Sequence, residues 1–270
     1  MIKWLRRAYL DARAMTSSLA VISAVCVAVI RTLPSYTIRY SSSSNLGLLL
    51  SDVYGGLPWD QFISFGIMAG WLLAMLPGLM GMVTYLQREL GEHMVLSVYR
   101  YHSLRCWWLG KLAGSMLYAL GITAVSCAAS LVAGFMLGLR GFQMFVADAD
   151  GFLTYAVWIV FVSPLCYFLQ MWMLLQFQML AHLIFRDVRI SVIAFLLPLI
   201  LGTLSCSNNE NPSHIWGLMN WGMTKRYSIA GSFGVDPLTG VLLQLAVIAV
   251  CMILGWVLVK CLKTTERKSV

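Results

Sequence analysis

The chain has 270 residues, of which 60% are hydrophobic and 11% are charged, and its formal net charge is +8. A soluble domain is about one-quarter charged, so this composition excludes an ordinary soluble globular protein. The basic balance does not require a nucleic-acid partner, because membrane topology and contact with anionic lipid explain most of the positive charge.

Six apolar stretches are near the length of about 20 residues that crosses the roughly 30 Å hydrocarbon layer of a bilayer. The sequence therefore predicts an all-α integral membrane protein, with residues 1–270 forming a single transmembrane domain. The six predicted spans cover about residues 14–30, 62–86, 109–139, 152–185, 190–204 and 238–259. The fourth span is long and contains Pro164, so a kink or a separate interfacial piece is expected there. The fifth is short, and its Pro198 and Gly202 suggest a helix that is broken or tilted, or one that starts within the preceding loop.

Residues 1–13 precede the first predicted span and carry a helical pattern. Ile2, Leu5 and Tyr9 recur at helical spacing, opposite Lys3 and Arg6. A basic amphipathic helix of this kind lies along a membrane surface. We therefore predict an interfacial helix here, although an ordinary basic flank of the first span explains these residues almost as well.

Lys and Arg residues are distributed unevenly between the two sides of the predicted spans. The amino end, the second loop together with Lys111 just after it, the fourth loop and the tail hold 14 of the 19, and the first, third and fifth loops hold the other 5. Positive charge next to a span stays on the cytoplasmic side. Both termini are therefore predicted to be cytoplasmic.

The second loop, residues 87–108, joins the second and third spans on the predicted cytoplasmic side. Acidic residues lie at its start and basic residues at its end, which suits the dipole of a short helix parallel to the membrane. A solvated connecting loop is the alternative.

Several residues of this loop, and the two that follow it into the third span, resemble the permease subunits of type-2 ABC transporters, including those of bacterial lantibiotic export and immunity systems. The matching residues are Arg88, Glu89, Gly91, Ser103, Arg105, Gly110 and Lys111. Tyr101 and Leu104 depart from the family pattern, in which proline and a basic residue are common. The six spans, the cytoplasmic termini and the long outer fifth loop are similar at the level of topology.

The resemblance implies a coupling helix that docks onto a separate cytoplasmic ABC ATPase subunit, and a second permease chain that is identical or related. It also implies a multi-pass protein of a bacterial cell membrane. The implied ATPase contacts are Arg88, Glu89, Gly91, Glu92, Met94, Val95, Leu96 and Ser97.

Nucleotide chemistry is not expected in this chain. Its one Gly-Lys pair, Gly110 and Lys111, lacks the upstream glycine and the following hydroxyl of a phosphate-binding loop. The chain is therefore not expected to be an enzyme or to bind a cofactor, and ATP and magnesium would bind to the partner ATPase. Seven cysteines without a CxxC motif predict neither a metal site nor a disulfide.

All eleven acidic residues lie outside the predicted spans. An ion-driven carrier usually keeps an ionisable or broken-helix site at membrane depth, so this class is disfavoured. His182 is the one histidine within a span, and a packing role explains it better than catalysis.

Polar side chains inside the spans and aromatic residues in the fifth loop suggest where a substrate could pass. Gln170, Gln178 and Gln244 are candidates for a substrate path, although hydrogen bonds between helices explain them equally simply. Trp216, Trp221 and Tyr227 are candidates for an outer gate, with an interfacial aromatic belt as the alternative.

These observations favour the permease subunit of an ATP-driven ABC exporter that moves an amphiphilic substrate, such as an antimicrobial peptide, a lipid or a drug. A membrane anchor or sensor subunit that transports nothing is the alternative. An intramembrane enzyme is a third hypothesis and would depend on His182.

Overall fold

The computed structural model describes residues 2–39, 46–56, 65–92, 103–139, 155–204, 218–224 and 236–266, and these residues are helical almost throughout, with no strand. The helices are α1 (Ile2–Met15), α2 (Ser18–Arg39), α3 (Leu46–Tyr54), α4 (Phe65–Leu86), α5 (Leu104–Met136), α6 (Tyr155–Phe185), α7 (Val188–Leu204) and α8 (Pro237–Glu266). A π-helical turn at Gln87–Glu92 continues α4, and a 3₁₀ turn is formed by Asn220–Gly222.

Four of the described helical stretches are long and apolar enough to cross a membrane. They are Ala69–Glu89, Leu104–Met136, Phe161–Phe185 and Leu238–Cys261. The pair α1 and α2 meets the same criterion only jointly, and it is bent by 68°. Since α7 is a shorter apolar helix, the described residues provide four span-length helices, or five with the bent pair, where the sequence predicted six.

The bend near the amino end has a local cause. The backbone N–H of Ala20 donates to Oγ of Ser17 at 3.1 Å, so Ser17 caps the start of α2. The chain between Met15 and Ser18 leaves the helical conformation, and α1 becomes a separate element. The predicted helix at residues 1–13 is thus present as α1, while its position on a membrane surface stays a prediction.

Three helix boundaries differ from the sequence prediction. α2 continues to Arg39, nine residues past the predicted end of the first span, so Arg31 is helical and not part of a loop. α5 begins at Leu104 because Oγ of Ser103 accepts from the N–H of Cys106, which brings Trp107 and Trp108 into the helix. α3 is a short helix that the sequence analysis did not predict, and its apolar face packs against α5 and α6.

The two helices for which the sequence predicted a proline-dependent kink or break are each continuous. α6 runs without interruption through Pro164, so the prediction of a separate interfacial helix before this proline is wrong. α7 likewise includes Pro198 within its length, and it is not broken there. Proline removes one backbone hydrogen bond, and packing of the helix against its neighbours can offset that loss.

α6 lies at the centre of the bundle. The window Phe161–Phe185 is 72% buried, whereas Leu238–Cys261 in α8 is 22% buried. Helix α6 packs against α3, α5, α7 and α8. Large apolar side chains such as Leu19, Val132 and Ile253 are more than half exposed. Exposed apolar side chains of this size on span-length helices are compatible with a surface that faces lipid.

Candidate functional site

A buried lysine joins three separate segments of the chain. Lys111, in the second turn of α5, is 1% exposed, and its Nζ lies 3.0 Å from Oδ1 of Asp11 and 3.3 Å from Oε2 of Glu89. Asp11 belongs to α1, and Glu89 belongs to the π-helical turn after α4. We call these three residues the Lys111 cluster.

Two aromatic rings complete the surroundings of this ammonium group. Nζ of Lys111 lies 5.0 Å from the ring centroid of Tyr85 and 5.9 Å from that of Trp107. An aromatic face attracts a cation, and more strongly where water is excluded. Because burial of a charge without compensation is costly, the two carboxylates and two rings explain how a fully buried lysine is tolerated.

Small residues allow the three segments to approach. A Cβ added to Gly114 would lie 2.8 Å from Cβ of Asp11 and 3.4 Å from the carbonyl oxygen of Ala8. On α4, a Cβ at Gly81 would collide with the hydroxyl of Tyr118 and the carbonyl oxygen of Met15. The cluster therefore depends on close contact of α1 with α5 and α4.

The structure describes the first part of the predicted coupling segment. Arg88 is exposed, and Glu89 is partly buried by its contact with Lys111. Gly91 and Glu92 complete the π-helical turn. Four further predicted contacts lie outside the described residues: Met94, Val95, Leu96 and Ser97. The coupling helix itself thus stays a prediction.

Sequence reasoning missed the central role of Lys111 and the contribution of Asp11. Lys111 was noted as part of a family-like Gly-Lys pair, and Asp11 as one more acid outside the spans. One signal was available: Lys111 is followed by a long uncharged helix, and an ammonium group at the start of such a helix needs a partner. The sequence offered several acids for that role and no means of choosing between them.

A second polar site lies where residues 218–224 pack between α6 and α8. Nε2 of Gln170 donates to the carbonyl oxygen of Met219 at 3.4 Å and lies 3.0 Å from its Sδ. The hydroxyls of Ser163 and Thr224 are 2.7 Å apart. Trp221 and Asn220 are both buried. This part of the fifth loop is therefore incorporated into the bundle.

Gly222 brings two of the predicted path residues together. A Cβ at Gly222 would collide with Oε1 of Gln170 and lie 2.7 Å from Nε2 of Gln244. Gln170, Gln244 and the predicted gate residue Trp221 thus occupy one site, which we call the Gly222 site. Gln178 lies two turns further along α6 and is buried, and neither of its amide atoms has a hydrogen-bond partner among the described residues. Trp216 and Tyr227 lie outside those residues.

Arg31 is a second charged side chain within the bundle. Its guanidinium carbon lies 5.5 Å from the ring centroid of Trp71. A small cavity beside it is also lined by Tyr54, Tyr167 and Ser126. The sequence analysis placed Arg31 in the first outer loop, which is wrong because α2 extends beyond it. Arg31 therefore adds a cation to the interior of the bundle, where it lies beside Trp71.

The fold and these sites define the broad class, an all-helical protein with several membrane-span-length helices. No protein-family model matches the chain, and comparisons with curated proteins and with solved structures gave no significant match. The residues that the structure describes contain no group of three or more side chains that could hold a metal ion.

Proposed function

We propose that this chain is the permease subunit of an ATP-driven exporter, with six spans, cytoplasmic termini and a separate ATPase that docks on residues 88–97. The bent pair of α1 and α2 would supply the first span, and α7 the fifth. The observation that carries the proposal is the Lys111 cluster. It links the start of the predicted docking segment to α1 and α5 through two ion pairs.

A segment that transmits force needs rigid attachment to the helices that it moves. Glu89 lies in the π-helical turn at the start of the docking segment, and its partner Lys111 lies on α5, the helix that follows this segment. Separating a buried ion pair is unfavourable, so a displacement of the turn would carry α5 and α1 with it. π-Helical turns are frequent at functional positions, which supports the same role for Gln87–Glu92.

The Gly222 site supports a role in controlling one end of a path. Residues 218–224 are buried between α6 and α8, and their polar contacts involve Gln170 and the backbone of Met219. In the proposed exporter this segment closes the outer end, and its displacement exposes the amides of Gln170 and Gln244 to an amphiphilic substrate. The substrate would use these amides for its polar part and the apolar helices for the rest.

Purification from native membranes tests the proposal. The tagged full-length chain is expected to co-purify with an ATPase that contains a phosphate-binding loop. Arg88→Glu is expected to reduce the amount of bound ATPase, since Arg88 is exposed at the start of the docking segment. Lys260→Glu is the matched control, because Lys260 is an exposed cation on α8.

Two results would contradict the proposal. One is the absence of any such ATPase from the purified complex under conditions that retain other partners. The other is an equal loss of ATPase with Arg88→Glu and Lys260→Glu, which would indicate a general charge effect. Recovery of a kinase or a protease would favour the anchor or sensor alternative.

A further inference from the structure

A groove of about 650 Å³ opens where α4 ends and where α6 turns into α7. Its polar lining comes from Gln87, Arg186, Asp187 and Arg189, and its apolar wall comes from Val188, Val192 and Ile193. None of these residues was assigned to the Lys111 cluster or to the Gly222 site. The groove is large enough for the polar part of a lipid or a small ligand.

The charges in this groove favour an anion. Arg186 and Arg189 are both exposed. Asp187 also lines the groove, and its Oδ1 accepts the backbone N–H of Arg189 at 2.7 Å, which caps the start of α7. The lining thus contains one carboxylate and two guanidinium groups, so the groove has a net positive charge.

The backbone fixes one of the two arginines in an unusual conformation. Arg186 has a φ of 52°, in the left-handed region that is uncommon for residues other than glycine. Its N–H donates to the carbonyl oxygen of His182 at 2.8 Å, which closes the end of α6. The turn between α6 and α7 is therefore short and defined. Arg186 and Arg189 lie three residues apart, one in the turn and one at the start of α7.

The surroundings of the groove indicate the depth at which it lies. Ile184 and Phe185 at the end of α6 are 54% and 57% exposed, and Ile193 in the groove wall is 56% exposed. Exposed apolar side chains of this size face hydrocarbon in a membrane protein. The change from these side chains to two arginines within one turn marks the headgroup layer.

We propose that this groove binds the headgroup of an anionic phospholipid. Its phosphate lies between Arg186 and Arg189, and its acyl chains run along the exposed apolar side chains near Ile193. Guanidinium groups suit phosphate because they can donate two parallel hydrogen bonds to it. The predicted orientation places the turn at the cytoplasmic leaflet, where anionic lipids attract basic residues. An acidic protein segment fits the charges but not the neighbouring lipid-facing side chains.

The test is direct binding of lipid to the full-length chain in detergent, measured by native mass spectrometry during titration. The lipids are palmitoyl-oleoyl phosphatidylglycerol and, for comparison, palmitoyl-oleoyl phosphatidylcholine. The variant combines Arg186→Asn with Arg189→Gln, since asparagine tolerates a left-handed backbone. The control variant combines Arg13→Gln with Arg105→Gln, two exposed arginines on other elements.

Phosphatidylglycerol is expected to bind the unmodified chain more tightly than phosphatidylcholine. The groove variant should weaken the tightest phosphatidylglycerol site about tenfold or more, which corresponds to the loss of charged hydrogen bonds. The control variant should leave that site unchanged. Replacing both groove arginines with lysine keeps the charge and the fold but removes the paired donors, so an intermediate affinity is expected.

Unchanged phosphatidylglycerol binding by the groove variant would overturn the proposal. Equal binding of both lipids would also overturn it, because anion selectivity would be absent. Complete displacement of the bound lipid by glycerol 3-phosphate would show a site for a free phosphate compound, not for a lipid. Since none of these measurements involves an ATPase, their failure is distinguishable from failure of the exporter proposal.

Discussion

Lys111 is surrounded by groups that come from distant parts of the chain, because Asp11 is 100 positions away and Glu89 is 22 away. The ammonium group has exchanged water for two carboxylates and two aromatic rings. Removal of one carboxylate leaves the buried ammonium group with fewer contacts to replace the water that it has lost. Replacement of the lysine and both carboxylates by uncharged groups of similar size removes the demand altogether. These two changes therefore have different expected effects on stability.

Asp11→Asn is expected to lower the free energy of unfolding by about 3 kcal/mol, the lower end for breaking a buried pair, because Glu89 still contacts the lysine. Adding both Glu89→Gln and Lys111→Met to this variant, so that no charge of the cluster remains, should recover most of the loss. Thermal unfolding of the detergent-purified chain measures both effects. Equal instability of the single and the triple variant would show that the ion pairs are not the source of the effect.

Gly222→Ala is expected to displace the buried amide groups of Gln170 and Gln244, since the new methyl group would collide with both, and so to loosen the packing of residues 218–224. Hydrogen exchange of the peptide that contains Trp221 should become faster. Gly121→Ala is the matched control because a Cβ there meets no atom within 4 Å. In the proposed exporter, Gly222→Ala should also change export while ATPase binding is retained.

If Gly222→Ala leaves exchange in this peptide as slow as Gly121→Ala does, the segment is not held by close packing. The proposal that the Gly222 site closes a path would then lose its structural support. Faster hydrogen exchange with unchanged export would support close packing of residues 218–224 but would contradict their role in gating.

At the scale of elements, the contact between α1 and α5 determines whether the amino-terminal helix belongs to the bundle. Gly114 lies one turn beyond Lys111, on the face that meets Asp11 and Ala8. Glycine weakens a helix interior by roughly 1 kcal/mol relative to alanine, so its presence here is best explained by the close approach. Helix α1 is therefore a packed element as well as an amphipathic one.

Gly114→Leu is expected to separate α1 from α5 and to lower stability by about 1–3 kcal/mol, as overpacking does. Gly121→Leu, on the same helix but in open space, should have little effect. Limited proteolysis near the break at Thr16 and Ser17 would report release of α1. Similar proteolysis of both variants would contradict a specific contact at Gly114.

At the scale of the whole molecule, the orientation can be tested with native thiols. Cys106 near the start of α5 and Cys261 near the end of α8 are both exposed, and both lie on the predicted cytoplasmic side. Cys206 belongs to the predicted outer fifth loop. In intact cells a membrane-impermeant maleimide is expected to label Cys206, and to label Cys106 and Cys261 only after the membrane is opened. The reverse pattern would overturn the orientation and with it the proposed docking side.

Much of the helical framework follows from sequence alone, with errors at boundaries that depend on single contacts. The cap by Ser103 lengthened α5, and α2 extended past Arg31. Of the predicted path and gate residues, Gln170, Gln244 and Trp221 converge near Gly222. The sequence had predicted a substrate path and an outer gate as two separate features. Their convergence could not be predicted, because it depends on how the fifth loop returns between two helices.

The sequence by itself determined the apolar helical character of this protein and the approximate positions of its long helices. Those properties follow from the free energy of transferring individual side chains and backbone groups, which is a local quantity. Only the tertiary structure decided which acids pair with Lys111, that Arg31 lies beside Trp71, and that two arginines flank a groove beside α7. Such pairings depend on the packing of helices far apart in the chain, for which many arrangements satisfy the same hydrophobic pattern.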